Sequence, residues 1–169
     1  MTDAGAAPLD TASPRSRSPA DDFIFVDAHW QLRQSYRQDI LQPQFFAALR
    51  EKRLLGVRDP SNGRVLFPPR SFSEAGFCIM SELVAVGPGG IIRTLTRLPG
   101  GGPNNRPAVL LAFVQFDGAD SAGAGTLRGA GTDLARPSDL IGRRCRAVFK
   151  DNPAGDWHDY WFELDGDRS

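Results

Sequence analysis

Arg58-Asp59-Pro60-Ser61-Asn62-Gly63-Arg64-Val65-Leu66-Phe67-Pro68-Pro69-Arg70-Ser71-Phe72-Ser73-Glu74-Ala75-Gly76 is the stretch that decides how this chain is read. Two clusters of turn formers, one before Arg64 and one after Arg70, flank a short apolar run ending in Phe67-Pro68-Pro69-Arg70. Asp59, Asn62 and Ser73 suit tight turns because their short polar side chains bond the local backbone. The two prolines preset the backbone and lower the ordering cost of binding, while the Arg70 guanidinium can grip a phosphate or carboxylate with two parallel hydrogen bonds. An alternative use of Arg70 is internal: packing over an aromatic ring or pairing with Asp59.

N-terminal to this stretch the texture changes twice. Residues 1–22 are rich in Ala, Pro, Ser and Asp and hold no large apolar residue except Leu9, so a disordered tail is expected. Residues 23–56 carry Phe23, Phe25, Trp30, Leu32, Tyr36 and Ile40 and form an N-terminal helical segment. Its clearest helix is expected over residues 44–52. Pro43 suits the first turn, Phe45 and Leu49 lie four apart, and Arg50, Lys52 and Arg53 complement the C-terminal dipole. Gly56 is the expected stop.

Residues 57–77 form the arm just quoted, and residues 78–165 have β texture. Residues 79–86 alternate imperfectly, and Gly87-Pro88-Gly89-Gly90 signals a turn. A β-branched run over residues 91–98 follows. Residues 107–116 read as a core strand buried on both faces. A short strand is expected at Thr126-Leu127-Arg128 between glycine-rich turns, a helical turn near residues 136–142, and two final strands over 143–150 and 157–164. Five or six short strands with one small helical turn predict a small closed β-barrel.

The 169 residues, 41% of them hydrophobic, suffice for one sizeable core. Twenty basic and twenty acidic residues cancel, which argues against bulk electrostatic capture of nucleic acid or an anionic membrane. Two cysteines, Cys78 and Cys145, exclude a disulfide scaffold and read as core thiols of a reducing compartment. No apolar run reaches the roughly 20 residues that span a bilayer, and no secretory signal is visible, so a cytoplasmic location is expected.

A helical segment, a Gly63/Phe67-Pro68-Pro69-Arg70 ribbon and a barrel, in that order, resemble the zinc-ribbon OB-fold proteins associated with acyl-CoA enzymes. The likeness covers residues 28–164. It implies a mainly β chain, with an OB barrel preceded by the helical segment and a rubredoxin-like ribbon. Ribbons of this family carry Cys-x-x-Cys-Gly before Phe-Pro-Pro-Arg and Cys-x-x-Cys after it. Aligned through Gly63 and Arg70, those cysteines fall on Asp59, Asn62, Ser73 and Gly76. One carboxylate, one amide, one hydroxyl and a glycine cannot supply a tetrahedral zinc field, so the ribbon is expected to be degenerate and metal-free. Turn hydrogen bonds and packing of Val65, Phe67, Phe72 and Phe77 are expected to hold it instead.

The resemblance further implies a non-catalytic accessory subunit in a hetero-oligomer. Its partner would be a thiolase-superfamily enzyme (thiolase, ketoacyl synthase or thiolase-like aldolase), and the subunit would assist acyl-CoA binding. The expected binding residues are Phe67, Pro68, Pro69 and Arg70, with Arg93 and Arg97, which lie four apart on one strand and hence on one face. The same basic face would fit a single-stranded nucleic-acid-binding OB-fold protein, the alternative from a different class. Arg143, Arg144 and Arg146 hint at a further basic patch. The runs Gly100-Gly101-Gly102 and Gly123, Gly125, Gly129, Gly131 precede no helix in a phosphate-binding arrangement and read as flexible loops. His29 and His158 pair with no nucleophile signature, and no catalytic residue is expected.

Overall fold

The computed structural model describes residues 38–100, 107–130 and 137–166. The expected tail, and the helical segment as far as residue 37, lie outside the described residues.

Helix α1 (Gln42–Arg50) carries Pro43 in its first turn and buries Phe45, Ala48 and Leu49, two residues earlier than the expected span. It ends before Gly56. Lys52 takes the left-handed conformation, with φ 57°, and donates its N–H to Leu49 O at 2.9 Å. Arg53 N–H reaches back to Ala48 O at 2.9 Å, which completes a Schellman cap with a lysine where glycine is usual. Gly56 serves another purpose inside β1 (Leu54–Arg58). A Cβ there would lie 2.8 Å from Val65 Cγ1, so the glycine lets two strands close.

Strands β2 (Val65–Leu66) and β5 (Glu82–Val86) flank β1 in an antiparallel three-stranded sheet. Between them β3 (Phe72–Ser73) and β4 (Cys78–Ile79) make a hairpin. Leu41, Val57 and Met80 form a small core beneath this arm. Residues 82–86, expected in the barrel, therefore belong with β1. Phe72 and Phe77, expected to hold the arm by packing, are 43% and 84% exposed. Strand alternation explains Phe72: Ser73 turns inward, so its neighbour must turn outward.

The barrel closes from β6 (Gly89–Leu98), β7 (Val109–Phe116), β8 (Ala122–Arg128), β9 (Arg144–Phe149) and β10 (Tyr160–Leu164), in the order β10-β8-β7-β6-β9. Only β8 and β10 run parallel. A short 3-10 helix (Pro137–Leu140) lies between the third and fourth barrel strands, the OB position. The expected strand count placed that turn one strand later because it included residues 79–86.

Strand β7 is buried on one face rather than two. Leu110, Ala112, Val114 and Phe116 point into the barrel, whereas Phe113 is 40% exposed. A small barrel has one interior, and an apolar run here does not signal cover on both sides. The glycines of β8 are likewise not loop residues. A Cβ on Gly123 would meet Phe67 Cε1 at 2.3 Å, and one on Gly125 would meet Phe162 Cε2 at 2.7 Å. Each glycine is the floor on which an aromatic ring lies.

Gly123→Ala is therefore expected to destabilise the fold by about 2 kcal/mol through overpacking. Chemical denaturation checks this, and unchanged stability would mean that the Phe67 ring is not held where β8 places it.

Candidate functional site

The Phe67-Pro68-Pro69-Arg70 run emerges where the arm meets the barrel, and its position is fixed from three directions. The buried Phe67 ring packs edge-on against Phe45 of α1 at 5.8 Å and Phe116 of β7 at 4.8 Å. Its N–H donates to Ser121 Oγ at 2.7 Å, and the same hydroxyl donates to Phe67 O at 2.9 Å. One step earlier, Asp120 N–H donates to Val65 O at 2.7 Å, while Asp120 Oδ2 accepts Val65 N–H at 2.8 Å. Leu66, Phe67, Pro68, Pro69, Arg70 and Ser121 line a cleft of about 320 Å³.

Within this cleft Pro69 is buried, and Pro68 and Arg70 are exposed. Among the described residues Arg70 pairs neither with Asp59 nor with an aromatic ring. Its one ion pair among the described residues is to Glu74 at 3.8 Å, with the two side chains 49% and 80% exposed. A pair so long and so wet contributes little. Among the described residues the guanidinium thus stands at the rim with its donors largely unspent.

Arg93 and Arg97 are not brought together. A β-bulge falls between Ile92 and Thr94, so the two-residue alternation slips at Arg93. Arg93 donates to Gln115 Oε1 on the outer surface at 2.8 Å. Arg97 pairs in register with Leu110, whose side chain points inward, so Arg97 sits on the opposite side at the barrel end. Of the expected Arg143, Arg144 and Arg146 patch, Arg143 is exposed and the other two are engaged. Arg144 grips Asp117 with two bonds of 2.7 and 2.6 Å, and Arg146 faces Glu163 and Asp165 at 3.7 and 3.9 Å.

The four positions aligned with zinc ligands converge around one buried carboxylate. Asp59 Oδ1 accepts Ser61 N–H at 2.9 Å and Ser61 Oγ at 2.6 Å. Asp59 Oδ2 accepts Asn62 Nδ2 at 3.2 Å and Ser73 Oγ at 2.5 Å. Gly76 N–H then donates to Ser73 Oγ at 3.0 Å. These donors do not fit zinc: both carboxylate oxygens are engaged, and Gly76 has no side chain to offer. Among the described residues no group of three His, Cys, Asp or Glu side chains is placed to hold a metal ion. Ser61 and Ser121 went unnoticed in the sequence. Ser121 meets a partner 54 residues away, which no local pattern encodes.

Among the described residues a few titratable groups depart from their ordinary values. Burial pushes the Cys145 thiol up to about 11. The His158 side chain is 89% exposed and 3.5 Å from Asp156. Hydrogen bonds from Ser61 and Ser73 bring the Asp59 carboxyl down to about 2. Burial works to raise the Asp159 carboxyl, but N–H donors of Asp156, Ala154 and Gly155 and the nearby Lys150 outweigh it and hold the group below the ordinary 3.8.

Both carboxylates have folded-state values below their unfolded ones. Their stabilisation is present above about pH 4 and is lost as pH falls through the folded value, near 2 for Asp59. Acid titration of stability is expected to show this loss, and Asp59→Asn is expected to flatten its lower part. A variant with the wild-type acid profile would contradict the assignment.

No family model matches the chain, and no curated protein matches it. Solved structures do. A protein of unknown function of the DUF35 family from Sulfolobus solfataricus superposes with a TM-score of 0.56 at 17% identity, over 73% of this chain and 84% of that one. The Ltp2-ChsH2(DUF35) aldolase superposes with a TM-score of 0.55 at 16% identity, over 78% of this chain and 98% of the other. At such identities the likeness establishes a shared fold and nothing finer.

Proposed function

We propose that this protein is a non-catalytic subunit that docks on a thiolase-superfamily enzyme and helps to hold its acyl-CoA, with the Phe67–Arg70 cleft as the point of contact. The observation that carries this reading is the geometry of Arg70. Its guanidinium stands at the rim of a roughly 320 Å³ cleft whose wall is held by Ser121 and by the Phe67 ring. A preorganised wall lowers the ordering cost of binding, and an unspent guanidinium suits the phosphates of CoA.

Three further features support it. The fold is shared with DUF35 proteins, one of them part of an aldolase named for two components, Ltp2 and ChsH2. The helix, the ribbon frame and the barrel follow in the order that the family resemblance requires. Among the described residues the buried Cys145 and the solvent-exposed His158 form no nucleophile–base pair, in keeping with a non-catalytic role. No helix among the described residues is long and apolar enough to cross a membrane. The nucleic-acid alternative loses its footing in the bulge, because a basic strip along one barrel face requires Arg93 and Arg97 on the same side.

Purification of the tagged chain from its native host is expected to bring a thiolase-superfamily polypeptide with it. Acetyl-CoA titrated into that complex is expected to bind, and Arg70→Ala to weaken binding about tenfold, the loss of roughly 1.4 kcal/mol. A chain that purifies alone and gives no heat with acetyl-CoA overturns the proposal.

A further inference from the structure

We infer that the Asp59 carboxylate takes the place a metal ion holds in a two-knuckle ribbon, so that the arm is built around an anion instead of a cation. Three observations carry this. The first is saturation. A carboxylate offers about four lone-pair sites, and Asp59 receives four donors, from Ser61 N–H, Ser61 Oγ, Asn62 Nδ2 and Ser73 Oγ. The second is convergence. Asp59, Asn62 and Ser61 come from the first turn and Ser73 from the second, and Ser73 Oγ also accepts the Gly76 N–H. One hydrogen-bonded cluster therefore joins all four positions that would otherwise meet at a metal.

The third is volume. A Cβ added to Gly76 would lie 2.4 Å from both Cβ and Oγ of Ser61. Ser61 thus fills the space into which a fourth ligand side chain would have to reach, and its Oγ spends that space on Asp59. No buried side-chain nitrogen or oxygen among the described residues is left without a partner, so no orphaned nitrogen or oxygen ligand points into the arm. A thiolate ribbon draws anions around a cation; here dipolar donors are drawn around an anion. The four aligned positions carry no thiolate to oxidise and hold no ion to lose, and the arrangement stands independently of what the cleft binds.

The test uses the full chain and no ligand or partner, so its outcome is separate from that of the functional proposal. Purified wild-type protein is expected to contain no stoichiometric zinc by elemental analysis, and its Tm is expected to be the same with and without EDTA. One zinc per chain, or a fall in Tm on chelation, overturns the inference. Asp59→Asn keeps the shape but turns an amide NH2 toward two of the donors, and is expected to lower Tm by roughly 5 °C or more. Ser73→Ala removes one donor and frees the Gly76 N–H, and is expected to give a smaller fall. An Asn variant with the wild-type Tm overturns the inference, and should that variant not fold, the wild-type measurements decide alone.

Discussion

The Phe67 ring lying on Gly123 is the contact through which the three parts of the structure are joined. Phe67 belongs to the arm, Gly123 to the barrel, and the same ring meets Phe45 of the helix and Phe116 of the barrel wall. An alanine Cβ would fall inside the ring's van der Waals envelope, so the close approach depends on a bare backbone. Because the ring is fixed, the residues that follow it are fixed too. Pro68, Pro69 and Arg70 leave the junction in one direction, over Ser121, and the cleft exists because of that exit.

The arm faces an electrostatic demand that, among the described residues, the barrel meets only at Asp159, in the turn between β9 and β10. Enclosing a carboxylate costs solvation, which is recovered only if donors replace the lost water. Asp59 meets that demand with four donors, and meeting it constrains the neighbouring strand. Ser73 must face inward to reach Asp59, which turns Phe72 out beside Ile79 across the hairpin, with the Phe77 ring 6.4 Å from that of Phe72. The apolar outer surface of the hairpin is therefore a consequence of how the arm is centred. The arm core is supplied by Leu41, Val57 and Met80 instead, residues that lie outside the ribbon motif or on its far strand.

Much of this was legible in the sequence wherever the signal was local. Pro43 with Phe45 and Leu49 placed the helix, the turn formers placed the two knuckles, and the mostly β texture placed the barrel. What escaped was long-range. Gly123 and Gly125 read as loop glycines because the rings above them belong to Phe67 and Phe162, far away along the chain. Gly56 read as a helix stop because its crowding by Val65 is visible only once β1 and β2 pair. Lys52 stopped the helix unannounced, since a lysine in the left-handed region carries no sequence mark. Ser121 became a cleft residue by the same route, through a partner that only folding supplies.

The bulge at Arg93 shows how one inserted residue narrows what the barrel can recognise. Without it, Arg93 and Arg97 would share a face and present two cations to any polyanion crossing the sheet. With it, Arg93 is drawn to Gln115, whose amide in turn donates to Ala119 O at 2.8 Å, one residue from Asp120 at the arm–barrel junction. The cation is thereby spent on bracing the turn that carries Asp120 and Ser121, the two residues that anchor the Phe67 strand. Arg144 is spent in a similar way on Asp117, at the end of β7. Charge that could have lined the barrel face is used to stiffen the arm–barrel junction and the end of β7. At the cleft, by contrast, the one ion pair of Arg70 among the described residues is the long, exposed one to Glu74.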